Sequence, residues 1–404
     1  MCSVLGHGHP ELVDIINSHA ANLDHISSCM VSPPVIKLAS RLTSALPPGL
    51  DRAFFLSTGA ESNEAAIKLA KRYTGKFEVV GLGESWHGMT PIAQGVQYQA
   101  GRKGCGINDG PRTGLQKLIC IGPSLPGQFM LPQPNAYRSR FRTSDGSYDW
   151  ESELDYGWEL IDQSSCGSLA ACIVECIQGD AGIHVLPPGY LKALKVHCEN
   201  RDMLLIVDEA QTGIGRTGDL FAIDHEGVVP HILTLSKTLG NGLPLSAVVM
   251  SAEIDAFGKE NGFLFFTTHV NDPLSAAVGD KVLEIVMRCN TLENSRRRGQ
   301  ELFEGLQKLK ERYGCIGDIR GRGLMAGVEI VSDRESKGPA IELGRELSEN
   351  MLRRGLWSQL QTQRTGNGVF RIGPPIVSTE DQIHNGLNVM EDAFRSTPGT
   401  LPLY

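Results

Sequence analysis

The chain predicts an α/β fold, with a large and mostly parallel sheet followed by a smaller C-terminal α+β unit. Three observations predict it. Short apolar runs without polar alternation recur across the first two thirds of the 404 residues, the pattern of strands buried on both faces. Stretches with helical spacing separate these runs, as crossovers between parallel strands require. Beyond residue 275 the order changes to long helical patterns and a glycine-punctuated strand pair.

Each element has its own signal. Residues 53–56 read as the first strand and run into Ser57-Thr58-Gly59-Ala60, after which Ala65, Ala66, Leu69 and Ala70 recur at helical spacing. Residues 78–81, 170–174, 203–207, 232–235 and 247–250 are further short apolar strands. The strand at 203–207 ends at Asp208, and the one at 232–235 leads into Ser236-Lys237. Residues 101–147 are rich in Gly, Pro, Ser and Arg, which predicts an extended surface excursion with little regular structure. One long helical pattern covers 273–309, and 315–330 reads as strand, turn and strand around Gly321, Gly323 and Gly327. A short strand at 370–372 and a helix over 382–394 close the chain.

Composition narrows the function classes. Hydrophobic residues are 41% and charged residues 21%, ordinary for a folded globular chain. The net charge of −8 argues against general nucleic-acid binding, and Arg296-Arg297-Arg298 reads as a solvated helix face. No apolar run approaches the ~18 residues of a membrane span. The N-terminus has neither a basic nor an apolar signal region. Ten cysteines without a CxxC pair read as reduced, mostly buried thiols of a cytoplasmic protein.

Four features carry chemistry. Asp208 ends one apolar strand and Lys237 follows another, and the carboxyl ends of parallel strands form the ligand crevice. A desolvated lysine amine there suits Schiff-base chemistry, and a buried carboxylate beside it suits a pyridinium nitrogen. The turn Ser57–Asn63 between strand and helix offers backbone N–H groups to a phosphate, and Trp86 offers a flat face to a ring. Alone, these read as a surface lysine, a helix cap, a capping turn and a core tryptophan. Together they point to pyridoxal 5'-phosphate (PLP).

The ordered motifs STGAESNEAAIKLA, ESWHGMT, LLIVDEAQTGIGRTG, LSKTLGNGLPL, FTTHVNDPL, RGRGLMAGVEI and FRIGPP resemble the class III aminotransferases of PLP fold type I, over nearly the whole chain. Within that family the pattern is most similar to the 2,2-dialkylglycine decarboxylases. The resemblance implies an N-terminal segment (1–45), a large PLP-binding domain (46–275), and a linker helix with a C-terminal small domain (276–404). It implies that Lys237 is the Schiff-base lysine and proton shuttle and that Asp208 is the partner of the pyridine nitrogen. Gln211 matches the residue near the cofactor's phenolic oxygen, and Thr58, Gly59 and Ala60 match the phosphate cradle. Thr268 matches the threonine that reaches the phosphate of a neighbouring subunit, which implies a homodimer or a dimer of dimers. Trp86 matches the ring-stacking aromatic and Arg371 the substrate-carboxylate arginine. Asn63 and Met89 also occupy family active-site positions. Ser28, Thr268 and Asp272 match the oxygen ligands of an alkali cation such as K⁺, and an all-oxygen set suits a hard ion.

The activity so implied is decarboxylating transamination. A 2,2-dialkylglycine such as 2-aminoisobutyrate yields a ketone and CO2, and its amino group passes to a keto acid such as pyruvate, with ping-pong kinetics. His269-Val270-Asn271-Asp272-Pro273 and Trp86-His87-Gly88-Met89 follow the decarboxylase pattern. Three departures stand against it. The family pattern extends further N-terminally, and its glutamine for the departing carboxylate precedes the position of Met1. This reads as a truncated N-terminus or a diverged enzyme. Glu175-Cys176 replaces a Glu-Pro pair, and residues 106–128 carry an insertion. A non-decarboxylating class III aminotransferase and an inactive family member serving as a binding subunit are the alternatives. The intact Lys237 and Asp208 argue against the latter.

Overall fold

The computed structural model describes residues 1–97, 125–361 and 368–400. Two sheets organise it. The large sheet contains β1 (Arg52–Leu56), β2 (Glu78–Leu82), β3 (Gln128–Leu131), β4 (Leu169–Val174), β7 (Leu204–Asp208), β8 (Ile232–Leu235) and β9 (Ser246–Met250), in the order β1-β9-β8-β7-β4-β2-β3. A two-stranded ribbon, β5 (Ile177–Gln178) with β6 (His184–Val185), follows β4. The small sheet is antiparallel throughout. It contains β10 (Ile316–Arg322), β11 (Met325–Ile330), β12 (Gln359–Gln361) and β13 (Gly368–Ile372), in the order β10-β11-β13-β12.

Strand β9 alone breaks the parallel pattern of the large sheet, running antiparallel to both β1 and β8. The connection 236–245 holds only a 3₁₀ turn, Lys237–Gly240, too short for a crossover helix, so the chain turns back on itself. That turn fixes Lys237 at the carboxyl end of β8. Alternation along the buried strands separates two cores. Cys172, Val174, Leu205, Val207 and Val249 face one. Ala171, Ile173, Leu204, Ile206 and Val248 face the other. The helix Gly59–Thr74 covers the second core through Ala66, Ile67 and Leu69. Helices Pro33–Ala45, Trp150–Ser164 and Tyr190–Glu199 help cover the first. Burial on both faces is what continuous apolar strands require.

Several expectations are corrected. The 273–309 pattern is two helices, Pro273–Arg288 and Thr291–Arg312. The chain is extended at Cys289, and the Thr291 hydroxyl donates to the Val286 carbonyl, 2.9 Å, satisfying an acceptor left open at the first helix's end. The second helix then packs on β10 and on the helix Glu380–Ser396. Arg298 is buried rather than solvated, between Glu301 at 2.6 Å and Glu380 at 3.0 Å. Strand β3 lies inside the stretch 101–147 that predicts little regular structure. The part of that stretch up to 124, and with it most of the insertion over 106–128, lies outside the described residues. Among the described cysteines, Cys172, Cys176, Cys198 and Cys315 are buried, while Cys2, Cys29, Cys166 and Cys289 are exposed. None is in a disulfide. No helix among the described residues is long and apolar enough to cross a membrane.

Candidate active site

Asp208 is the last residue of β7 and sits opposite Thr234 of β8. It is buried, and its carboxylate takes part in three hydrogen bonds. Asn63 Nδ2 donates to Oδ2 at 2.7 Å, His87 Nδ1 lies 2.9 Å from the same oxygen, and the Ala210 N–H donates to Oδ1 at 2.9 Å. Burial opposes the charge on Asp208, but the His87 bond, the Lys237 cation and the Ala210 N–H hold its pKa below the usual aspartate value. The carboxylate is therefore ionised at neutral pH, and His87 serves as donor through Nδ1. Asn63 is a brace: it also donates to the His87 carbonyl at 2.8 Å and accepts from the Thr234 hydroxyl at 2.6 Å.

The cradle begins one turn away. Thr58 is the N-cap of the helix Gly59–Thr74, and Glu61 closes a capping box by accepting from the Thr58 N–H at 3.0 Å. The first-turn N–H groups of Gly59 and Ala60 have no intrahelical acceptor, so this end suits an anion. The 84–89 loop packs directly on it. A Cβ on Gly88, whose φ is +126°, would stand 2.5 Å from the Ala60 Cβ, so glycine alone permits the approach. Trp86 is half-buried there and Met89 is exposed. Glu175 anchors the loop by accepting from the N–H groups of Trp86, 2.8 Å, and Gly179, 3.0 Å. Burial pushes Glu175 up to about 7, with His87 opposing and the Asp208 charge adding to the shift.

Lys237 is half-buried and has a φ of +38°, a strained conformation for a non-glycine residue of the kind that clusters at functional sites. With Gln211, Asp180 and Arg371 it lines a cavity of about 440 Å³. Arg371, on β13, is buried. Its Nη2 donates to Gln211 Oε1 at 2.6 Å, and its Nη1 donates to Asp180 Oδ1 and, at 3.2 Å, to Gln359 Oε1. Gln211 thus joins the Asp208 turn to the Arg371 strand.

Of the residues singled out in the sequence, Asp208, Asn63, Lys237, Gln211 and Arg371 converge, with Thr58, Gly59, Ala60 and Trp86 around them. Thr268 is exposed, on the segment before the helix Pro273–Arg288. The Ser28 hydroxyl donates to the carbonyls of Thr267 and Thr268, both at 3.0 Å, so Ser28 and Thr268 meet. Asp272 turns instead to two imidazoles, with His25 Nδ1 at 2.6 Å and His269 Nδ1 at 2.5 Å. The donors around Asp272 are therefore mixed nitrogen and oxygen, which does not fit the all-oxygen set expected for an alkali cation. Sequence reasoning missed His87, Thr234, Glu175 and Asp180 as parts of the site. His87 had a signal, since it stands in the ESWHGMT motif beside Trp86. The contact of Asp180 with Arg371 had none, since 191 residues separate them.

Comparison with known proteins shows what the chain as a whole is similar to. The family model for aminotransferase class-III matches residues 1–394. An uncharacterised aminotransferase of Schizosaccharomyces pombe is 45% identical over 98% of this chain and 85% of its own length. Among solved structures, a thermostable (S)-enantioselective omega-transaminase from Thermomicrobium roseum aligns with a TM-score of 0.86 at 30% identity, over 97% of this chain and 86% of its own. A taurine:2-oxoglutarate aminotransferase from Bifidobacterium kashiwanohense, in complex with PLP and glutamate, aligns with a TM-score of 0.85 at 26% identity, over 97% of this chain and 86% of its own.

Proposed function

The chain belongs to the class-III aminotransferase family, whose cofactor is PLP, and from that premise we propose that it catalyses decarboxylating transamination of a 2,2-dialkylglycine with a keto acid as amino acceptor. One observation carries the amino-transfer site: Lys237, Gln211 and Arg371 share one cavity, and the ionised Asp208 lies behind Lys237 at the ends of β7 and β8.

When bound, PLP supplies an electron sink for the pair released at the substrate's Cα. The residues present fit it. Thr58, Gly59 and Ala60 would hold the phosphate, Asp208 would keep a proton on the ring nitrogen, and Trp86 would lie against the ring. Lys237 would carry the cofactor through Nζ and return a proton to the substrate carbon. Gln211 spends its oxygen on Arg371 and keeps its amide N–H groups for the cofactor's phenolic oxygen. Arg371 would take the carboxylate of the keto acid through its planar fork once Asp180 gives way.

A dialkylglycine has no Cα hydrogen, so the carboxylate is the group that leaves. With 2-aminoisobutyrate and pyruvate the products balance as acetone, CO2 and alanine. The motifs around Trp86 and His269 support this specific donor. The similarity to an omega-transaminase and to a taurine:2-oxoglutarate aminotransferase favours a second reading, in which no CO2 leaves and Lys237 removes a Cα proton. The experiment is product analysis with PLP, 2-aminoisobutyrate and pyruvate against a Lys237→Ala control. Equal, lysine-dependent yields of the three products are expected. Amino transfer from α-hydrogen amino acids with no CO2 from 2-aminoisobutyrate would replace the first reading with the second.

We further propose that the working unit is a homodimer in which Thr268 completes the phosphate site of the neighbouring subunit. Met30, Val31, Leu264 and Phe266 are exposed on two segments that Ser28 ties together, an apolar surface suited to a protein partner. Sedimentation at working concentration should give twice the chain mass, and a monomer that is fully active would contradict the proposal.

A further inference from the structure

Strand β12 places two glutamines on one face, since side chains two apart in a strand point the same way. Gln359 stands opposite Arg371 in the register with β13, and Gln361 stands opposite Val369. Their amides do different things. Gln359 Oε1 accepts from Arg371 Nη1 at 3.2 Å. Gln361 Nε2 donates to Asp180 twice, to its carbonyl at 3.0 Å and to Oδ1 at 3.2 Å. The Asp180 Oδ1 that receives Gln361 is the same atom that receives Arg371. One glutamine therefore fixes the guanidinium, and its neighbour fixes the carboxylate that neutralises it.

We infer that β12 carries two positioning residues that set the affinity for a substrate carboxylate: Gln361 by anchoring the competing Asp180, and Gln359 by anchoring Arg371. The inference rests on the reading that Arg371 receives that carboxylate. The pair is largely removed from water, with side-chain exposures of 6% for Arg371 and 16% for Asp180. In such surroundings the geometry of a charged pair governs its strength. An incoming carboxylate must displace Asp180 from Nη1. Every bond that pins Asp180 raises the cost of displacement, and every bond that pins Arg371 lowers the cost of docking. Neither amide bears charge, so removing one changes the geometry of the competition and not the charges in it.

The two substitutions should move KM in opposite directions. Gln361→Leu frees Asp180, and the KM for pyruvate should fall about fivefold with kcat changing less. Gln359→Leu loosens Arg371, and the KM should rise about fivefold. Gln361→Glu keeps the size but has no donor for Asp180 and adds a second anion near Arg371, so its KM should rise as well. Damage to β12 would raise KM and lower kcat in both leucine variants, so movement in opposite directions excludes a merely structural role. The experiment measures kcat and KM for pyruvate in the PLP-loaded enzyme and all three variants, with Arg371→Gln alongside and a thermal midpoint for each. If Arg371→Gln raises KM by about tenfold or more while the two leucine variants move together or not at all, the inference fails and the Arg371 reading stands. If Arg371→Gln leaves KM unchanged, or the enzyme does not use pyruvate at all, that reading fails and takes the inference with it. Opposite movement of Gln361→Leu and Gln359→Leu supports it.

Discussion

Asp208 and Asp180 are carboxylates of one site with unlike surroundings. Asp208 is held by an amide, an imidazole and a backbone N–H, all mounted on or beside the large sheet. Asp180 is held by the Arg371 guanidinium and by Gln361, both on the small sheet. None of the groups bonded to Asp208 need leave for a substrate to enter, while Arg371 must be released by Asp180 before it can grip one. The difference teaches how one fold supplies both permanence and exchange. The strand ends of the large sheet give a fixed electrostatic partner for a resident group. The small sheet gives a replaceable one for a group that comes and goes.

The contrast predicts separable kinetics. Asp208→Asn keeps the shape and removes the charge, and kcat/KM should fall by about 10²-fold or more, read in steady state with PLP in excess. A loss confined to KM would break the contrast. Asp180→Asn should do the reverse: KM for pyruvate should fall by up to about tenfold, because Arg371 is freed, with kcat affected less. A fall in kcat as large as that of Asp208→Asn would show that both carboxylates are fixed elements.

A smaller effect concerns pH. Glu175 is held neutral by burial up to about 7, against a usual value of 4.5. Between those two values the unfolded chain releases this proton and the folded chain keeps it, so its contribution to stability falls as pH rises and levels off above about 7. Glu175→Gln should remove that slope. The thermal midpoint of the variant minus that of the natural protein should grow from pH 4.5 to 7. A constant difference would place the carboxyl's ionisation elsewhere.

Much of this was legible in the sequence, for physical reasons. Strands β4, β7, β8 and β9 were readable because burial on both faces leaves unbroken apolar runs, and Asp208 and Lys237 stand where those runs stop. Strand β3 was hidden by its Gly- and Pro-rich surroundings. The break at Cys289-Asn290 carries no glycine or proline, so two helices read as one. Asn63 was readable only as a family position, and its bracing of Asp208 and His87 emerged from packing. The Asp180–Arg371–Gln361 contacts were illegible because they join a ribbon of the large unit to two strands of the small sheet, and no local pattern encodes such a meeting.

The most direct test of the central claim asks whether Lys237 carries the cofactor. The protein would be loaded with PLP, reduced with borohydride, digested and mapped by mass spectrometry beside Lys237→Ala. The account predicts a pyridoxyl adduct on the peptide containing Lys237, absent from the variant. An adduct on another lysine, or none in protein that binds PLP, would contradict it.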